Sequence, residues 1–226
     1  PGYDGTGHAV AFDGNVGGAK VAIGTWDPNE SGTGFSVSLW ARWTGDQTNG
    51  HQGLIGKRDS WSATNAMQWF LETTPNGELA LRQYTGGVFS AAGVLNPFVG
   101  QWAHVAVTFD GTTGTIYLNG EVVASGPFSL ADKANAEMGI GCTHGGTNTN
   151  GEVFDGAIDN VQIYGRPLSA EEVAYLADVT PGDGEVYVPI GSQAELYSEE
   201  AEGDRAIDMY DFSVLSEYWL TEQMWP

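Results

Sequence analysis

Histidines and carboxylates are the residues of this sequence that could catalyse a reaction, and their spacing does not favour one. The histidines are His8, His51, His104 and His144. They form no H-E-x-x-H or other paired metal-binding spacing, and no G-x-S-x-G motif occurs. Retaining glycosidases need two carboxylates roughly 5 Å apart, and no predicted strand has the E-x-D-x-x-E spacing that could supply them. The sequence therefore predicts a protein that is not an enzyme.

Aromatic side chains, together with polar side chains that carry two hydrogen-bonding groups, favour the binding of sugars instead. Sugar rings present apolar C–H faces that stack on tryptophan or tyrosine, while their hydroxyls need bidentate partners. Candidate ligand-binding residues on the predicted exposed side of the strands are Trp40, Arg42, Gln68, Arg82, Tyr84 and His104, and the loops add Trp61, His144 and Asn148. We expect the strand residues to share one sheet. A buried core position is the alternative for each tryptophan, and a structural, hydrogen-bonded role is the alternative for His104.

Short alternating runs predict that these residues lie on antiparallel β-strands. In FSVSLWARW, one side carries Phe35, Val37, Leu39, Ala41 and Trp43, and the other carries Ser36, Ser38, Trp40 and Arg42. WAHVAVTFDG places Val105, Val107 and Phe109 inside, and Asn119-Gly120 closes the next hairpin. Further strands are predicted at 8–12, 19–23, 53–58, 66–72, 78–84, 137–142 and 153–164. Nine or more strands without a long helix between them predict an all-β fold, a two-sheet antiparallel sandwich.

The segment SAEEVAYLADV, residues 169–179, predicts one short helix that closes the sandwich. Ser169 and Glu172 have the spacing of a capping box, and Val173, Leu176 and Ala177 form an apolar stripe. The turn residues TPGDG at 180–184 then mark a domain boundary. We therefore predict a domain at residues 1–179 and an acidic tail at 180–226 that ends in an amphipathic helix.

The charge of the chain restricts its partners. Its 226 residues include 29 Asp and Glu but only 8 Lys and Arg, for a formal net charge of −21. Nucleic acids and anionic membranes both attract clustered cations, so neither is an expected partner. The sequence has no apolar run of about 18 residues that could span a bilayer. Cys142 has no second cysteine to pair with, and we expect it to be a buried apolar side chain.

Four motifs, in order along the chain, resemble the laminin-G-like family of the concanavalin A-like lectin/glucanase superfamily. They are AVAFDG, FSVSLWAR, WAHVAVTFDGTTGTIYLNGEVVAS and FDGAIDNVQIYGRPLSAEEVAYL, within residues 8–178. The resemblance implies a jelly roll with one convex and one concave sheet, and glycans often bound on the concave face or at the loop rim. It also implies a structural calcium ion that joins the first and last strands, held by the carboxylates of Asp13 and Asp159 and the carbonyl of Gly34. An ordinary Asp-Gly turn is the alternative for FDG.

The tail resembles the dockerin-type anchoring segments of bacterial exported proteins. Aligned with a calcium loop of that type that ends at Asp211, Glu200, Glu202 and Asp204 fall at alternate ligand positions. Arg205 stands where such a loop has glycine, glutamates replace shorter ligands, and a second loop is missing. The alternative is a packed helix preceded by a solvated acidic loop.

We expect an exported, non-catalytic domain that acts outside the cell or at its surface, binds a polysaccharide or cell-surface glycan, and holds calcium. Pro1 in place of an initiator methionine fits the removal of a signal peptide, although a shortened sequence would look the same. The alternative function is a structural subunit of an extracellular filament or surface layer, in which the tail engages other copies of the chain. A glycoside hydrolase is the third hypothesis.

Overall fold

The computed structural model describes residues 1–14, 20–46, 50–59, 67–83, 87–130, 135–143 and 152–177. All of them lie in the first of the two units into which the chain divides, Pro1–Val179. Within them, the chain forms twelve β-strands, one α-helix and the short 3-10 turn Asn96–Phe98. The strands make two antiparallel sheets that pack face to face, so the predicted all-β sandwich is confirmed.

The first sheet contains six of these strands. In spatial order they are β1 (Val10–Asp13), β12 (Asp155–Tyr164), β3 (Phe35–Trp43), β8 (Ala103–Phe109), β9 (Thr113–Leu118) and β10 (Glu121–Pro127). The first and last strands are neighbours, with Val10 opposite Ile158 and Asp13 opposite Asp155. The opening and closing parts of the domain are therefore joined by one hydrogen-bonded ladder.

The second sheet contains the other six strands. In spatial order they are β2 (Val21–Gly24), β11 (Met138–Ile140), β4 (Gln52–Arg58), β5 (Met67–Thr73), β6 (Leu79–Gln83) and β7 (Gly87–Ala91). Every strand predicted from the sequence is present, with ends shifted by a few residues. Strand β7 was missed because it begins at the second glycine of the Gly86-Gly87 pair, which is typical of a turn.

The core lies between the two sheets and consists of the inward side chains that the alternation predicts. Phe35 of β3 stacks on Trp69 of β5, with ring centroids 4.7 Å apart, so these two strands face each other across the core. The predicted inner residues of β3 and β8 are all buried there, and so is the side chain of Cys142. Because each buried apolar side chain stabilises the fold by about 1.5–3 kcal/mol, a register shift of one residue would be costly.

Helix α1 (Ala170–Leu176) packs on the outer face of the first sheet. It begins at the predicted capping box, in which Ser169 Oγ accepts from the Glu172 N–H and the Glu172 carboxylate accepts from the Ser169 N–H. Val173 is buried against Ala106 and Tyr117 of that face. Among the described residues, no helix is long and apolar enough to cross a membrane.

Along β3, that outer face is covered by segments from both ends of the domain. Ser36 Oγ donates to the Arg166 carbonyl over 2.9 Å and accepts from the Leu168 N–H over 2.8 Å. The Tyr3 ring stacks on Trp40, with centroids 4.6 Å apart and planes 14° apart. The polar side of β3 is therefore buried from Ser36 to Trp40 and does not form an open surface.

Candidate functional site

A pocket of about 210 Å³ lies on the outer face of the second sheet and is lined by His51, Phe70, Glu72 and Glu152. Trp69 and Leu71 of β5 point into the core. Because side chains alternate along a strand, Phe70 and Glu72 point outward. His51 precedes β4, and Glu152 precedes Val153, which bridges Gly53 of β4. Strand β5 thus forms the floor, and residues next to β4 form the walls.

Two glycines of β4 allow the wall that carries Glu152 to lie directly over the sheet. The Gly53 N–H donates to the Glu152 carbonyl over 3.0 Å. A Cβ atom on Gly53 would lie 2.3 Å from the Thr143 nitrogen, and one on Gly56 would lie 2.1 Å from the Thr143 carbonyl oxygen. Larger residues at these positions would push the wall away from β4, because the clashing atoms belong to the backbone.

Glu72 is the buried carboxylate at the bottom of the pocket, with 1% of its side chain exposed. It pairs with Arg82 of β6 on one side and with His51 Nδ1, 3.0 Å away, on the other. A carboxylate of this kind can only accept hydrogen bonds, so Nδ1 carries a proton in this contact. The hydrogen bond to Glu72 raises the pKa of His51 above its ordinary value of 6.5, against the opposing effect of partial burial.

A second ion pair, Arg58 with Glu152, joins the wall of the pocket to β4. Glu152 also accepts a hydrogen bond from Thr143 Oγ1 over 2.5 Å. The Arg58 guanidinium lies over the Phe70 ring, 4.9 Å from its centroid, which is within the range of a cation–π contact. Arg58 therefore links the aromatic floor of the pocket to its acidic wall.

The pocket offers a ligand both acceptors and donors at fixed positions. Glu72 and Glu152 present carboxylate oxygens, and Arg82 and His51 present N–H groups. Because every one of these groups already has a charged or polar partner, its rotamer is held before a ligand arrives. Such an arrangement suits a small ligand that carries several hydroxyl groups.

The prediction that the strand candidates share one sheet is wrong. Gln68 and Arg82 lie on β5 and β6 of the second sheet, whereas Trp40, Arg42 and His104 lie on β3 and β8 of the first. Alternation along a strand shows which side chains share a face. It does not show which sheet the strand joins, because that depends on pairing with distant segments.

Trp40 and His104 are not exposed, contrary to the prediction, and Arg42 is partly covered. Trp40 is 1% exposed beneath Tyr3, and His104 is fully buried with its Nε2 2.8 Å from Ser38 Oγ. Burial lowers the pKa of His104 from 6.5 to about 4. Arg42 lies over the ring of Trp102, 5.1 Å from its centroid. His104 thus has the structural, hydrogen-bonded setting that was the alternative for it.

The other ligand-binding candidates divide into two groups. Gln68 lies on the outer face of β5 but is buried, and its Nε2 donates to Asp27 Oδ2 over 3.0 Å. Arg82 borders the pocket through its contact with Glu72. Outside the described residues lie Trp61, Tyr84, His144 and Asn148, together with the tail candidates Glu200, Glu202, Asp204 and Asp211.

Asp13, Gly34 and Asp159 do not fit a shared calcium ion. Asp13 pairs with Asp155, and Asp159 lies four residues further along β12, about 13 Å away at roughly 3.3 Å per residue. Asp159 stands opposite Trp40 of β3. Gly34 precedes Trp40 by six residues, so it lies about 20 Å from Trp40 along that strand. Calcium needs all its oxygens within about 2.6 Å. No group of three acidic, histidine or cysteine side chains able to hold a metal occurs in the described part of the chain.

The sequence analysis missed five of the residues that build the pocket, namely His51, Arg58, Phe70, Glu72 and Glu152. Glu72 follows Gln68 by four positions on one predicted strand, so the alternation already placed it on the same face. Glu152 and His51 lie in connecting segments, where no periodic signal exists. Their approach to β5 results from the long-range pairing of β4 with β5 and of Val153 with Gly53.

The two antiparallel sheets and the pocket on one outer face define a lectin-like β-sandwich. The chain belongs to the Laminin_G_3 family of the concanavalin A-like lectin/glucanases superfamily, whose sequence model matches residues 13–174. The comparison with curated protein sequences gave no match.

Solved structures with this fold include modules and enzymes from bacteria and a leech. The CBM40 module of the Ruminococcus gnavus IT-sialidase is 14% identical with a TM-score of 0.57, over 76% of this chain and 96% of that one. A Bacteroides ovatus protein described as carbohydrate binding is 16% identical with a TM-score of 0.54, over 74% of this chain and 45% of that one. A leech intramolecular trans-sialidase is 18% identical with a TM-score of 0.56, over 76% of this chain and 27% of that one. At these identities the similarity shows the fold alone.

Proposed function

We propose that this domain is a non-catalytic module that binds glycans at the pocket formed by His51, Phe70, Glu72 and Glu152. The observation that carries the proposal is a preformed pocket in which paired charged groups surround an aromatic floor. Two of the similar structures, the CBM40 module and the Bacteroides ovatus protein, are carbohydrate binders by description. One CBM40 structure contains α2,3-sialyllactose.

The groups that a ligand reaches first are those that keep part of their surface in solvent. The side chains of His51, Glu152 and Arg82 are 48%, 20% and 18% exposed. Sugar hydroxyls would donate to Glu152 and accept from Arg82 and His51. The volume of about 210 Å³ lies below the roughly 300–1,000 Å³ of drug-sized sites, so it fits a single sugar ring.

The pairing of both pocket carboxylates with arginine supports a binding role without catalysis. A glycosidase needs one carboxyl group that holds a proton for the leaving oxygen. Glu72 is paired with Arg82, and Glu152 with Arg58. Both carboxylates are thus engaged as acceptors by guanidinium groups of the protein, whereas a general acid must offer its proton to the substrate.

The cellular setting and the metal remain part of the proposal. We place the domain outside the cell or at its surface, because an acidic chain with a lectin-like fold suits that setting. Calcium binding stays a prediction from the family; it has no ligand set here, because Asp13, Gly34 and Asp159 lie too far apart to share an ion, and no step of glycan binding depends on it. Self-association through residues 180–226 also stays a prediction.

Two matched arginine variants test the proposal. Arg82 and Arg166 each pair with a glutamate, but Arg166 contacts Glu172 at helix α1, away from the pocket. We expect the wild-type protein to bind at least one glycan on an array of defined neutral and sialylated oligosaccharides. Arg82→Gln should weaken that binding at least tenfold, and Arg166→Gln should leave it unchanged. Failure of the wild-type protein to bind any glycan, or equal binding by both variants, would refute the proposal.

A further inference from the structure

Trp26 stands out among the tryptophans that the structure describes. It is 46% exposed, whereas Trp40, Trp43 and Trp69 are buried. A single exposed aromatic residue is common on protein surfaces and has no meaning by itself. The neighbours of Trp26 in the chain give it significance, because both are tied to buried polar side chains of the second sheet.

Lys57 holds the residue before Trp26. Its ammonium group donates to the Thr25 carbonyl over 3.0 Å and to the Ala136 carbonyl over 2.6 Å, and the whole residue is buried in β4. Burial lowers the pKa of Lys57, which reflects the cost of placing an ammonium group there. The two hydrogen bonds offset part of that cost and fix the backbone beside Trp26.

Gln68 holds the residue after Trp26. Its amide donates to Asp27 Oδ2 over 3.0 Å, and the other oxygen of Asp27 accepts from the Asn29 N–H over 3.0 Å. The chain around Trp26 is therefore held on both sides. The backbone that carries Trp26 therefore needs little reordering when a ligand stacks on the indole.

The contact with Gln68 also fixes where Trp26 lies relative to the pocket. Gln68, Phe70 and Glu72 are alternate residues of β5 on one face, about 7 Å apart in succession. The pocket contains Phe70 and Glu72. The segment with Trp26 therefore adjoins the opposite end of the same row, next to Gln68.

We propose that the ligand is an oligosaccharide that places one sugar ring in the pocket and extends from it towards the Gln68 end of β5, so that a later ring stacks on Trp26. This inference rests on the proposed function and adds the class of ligand to it. The pocket fits a single ring, so the remaining rings of a longer glycan need a second contact. An exposed indole on an anchored segment supplies the apolar surface that the C–H face of a sugar requires.

The test compares Trp26→Ala with Tyr175→Ala on a series of glycans of increasing length. Tyr175 is an aromatic residue of similar exposure, 55%, and it lies on helix α1, which packs on the first sheet, away from the pocket. The probes are fragments, from monosaccharide to hexasaccharide, of the glycan that the wild-type protein binds best on the array. Affinities come from titration calorimetry, and thermal unfolding checks that each variant is folded.

We expect the affinity of the wild-type protein to rise with glycan length and Trp26→Ala to remove that gain. The loss for the long fragments should be roughly three- to tenfold, with no change for the monosaccharide. Trp26→Phe should retain most of the gain. Equal affinity of Trp26→Ala and the wild-type protein at every length, or an equal loss in Tyr175→Ala, would overturn the inference but leave the proposed function standing. A wild-type protein that binds no glycan would overturn the proposed function itself.

Discussion

His51 Nδ1 lies 3.0 Å from the carboxylate of Glu72, and this contact joins the rim of the pocket to its floor. His51 is half exposed, whereas Glu72 is buried and is also paired with Arg82 of the neighbouring strand. The carboxylate thus holds one permanent cation and one imidazole whose pKa it raises above the ordinary 6.5. The charge of the pocket therefore depends on pH through His51.

The His51 contact should stabilise the fold more below pH 6.5 than at alkaline pH. The hydrogen bond to Glu72 raises the pKa of His51 in the folded protein, so the folded state binds a proton more tightly than the unfolded chain. The resulting stability is fully present below pH 6.5 and is lost as the pH rises through the raised pKa. We expect His51→Gln to destabilise the protein more at pH 6 than at pH 8.5, measured by urea unfolding. A difference that is independent of pH, or that grows with pH, would contradict this account.

His104 should have the opposite effect. Burial lowers its pKa to about 4, so the unfolded chain takes up a proton between pH 6.5 and 4 that the folded protein does not. We expect the wild-type protein to lose up to about 3 kcal/mol of stability over this range through His104. In His104→Gln, the free energy of unfolding should fall less between pH 6.5 and 4 than in the wild-type protein, even if its value at pH 7 is lower. If the free energy of unfolding of this variant fell as steeply over that range as in the wild-type protein, the result would be inconsistent with a buried neutral imidazole.

The Arg82–Glu72 pair should behave as a coupled unit. Arg82→Gln leaves a buried carboxylate with His51 as its remaining partner, and we expect a loss of about 2 kcal/mol in the free energy of unfolding. Glu72→Gln should lower the free energy of unfolding less when Arg82 is already replaced by glutamine, because the amide at position 72 needs no cation. A double-mutant cycle with the two single variants and the double variant measures this coupling. If the two substitutions had purely additive effects on the free energy of unfolding, Arg82 and Glu72 would not stabilise each other.

Glycine at position 56 should be required for the pocket wall. A Cβ atom there would lie 2.1 Å from the Thr143 carbonyl oxygen and 2.6 Å from the Phe70 Cβ atom. We expect Gly56→Ala to displace Thr143 and Glu152, to destabilise the domain by about 1–3 kcal/mol and to reduce glycan binding. Gly50→Ala is the matched control, because a Cβ atom at position 50 meets nothing within 4 Å. The same binding and unfolding midpoint in both variants would show that the wall does not depend on this close approach.

The fold could be predicted from the sequence because its decisive signals are local. The alternation of β3 correctly identified its inner residues, which are Phe35, Val37, Leu39, Ala41 and Trp43. The Asn119-Gly120 turn adopts positive φ at both residues, 50° and 84°, as a tight hairpin requires. The capping box identified the start of helix α1. Each of these features depends on neighbours within a few positions.

The site could be predicted only in part because it depends on distant pairing. Arg82 was identified from the alternation of β6, but its partner Glu72 and the wall residue Glu152 were not. Trp40 was expected to be exposed, and it is buried because Tyr3, 37 positions earlier in the sequence, stacks on it. The alternation within one strand contains no information about which remote segment covers its polar side.

The most direct test of the central claim is a nuclear magnetic resonance titration of the folded protein with its best glycan from the array. The ring signals of His51 and His104 report on the two candidate faces, since His51 lines the pocket on the second sheet and His104 lies under the outer face of the first. We predict that the His51 signals shift with increasing glycan and saturate, while those of His104 stay in place. Shifts confined to His104 and the neighbouring Trp40 would place the ligand on the first sheet and contradict the account.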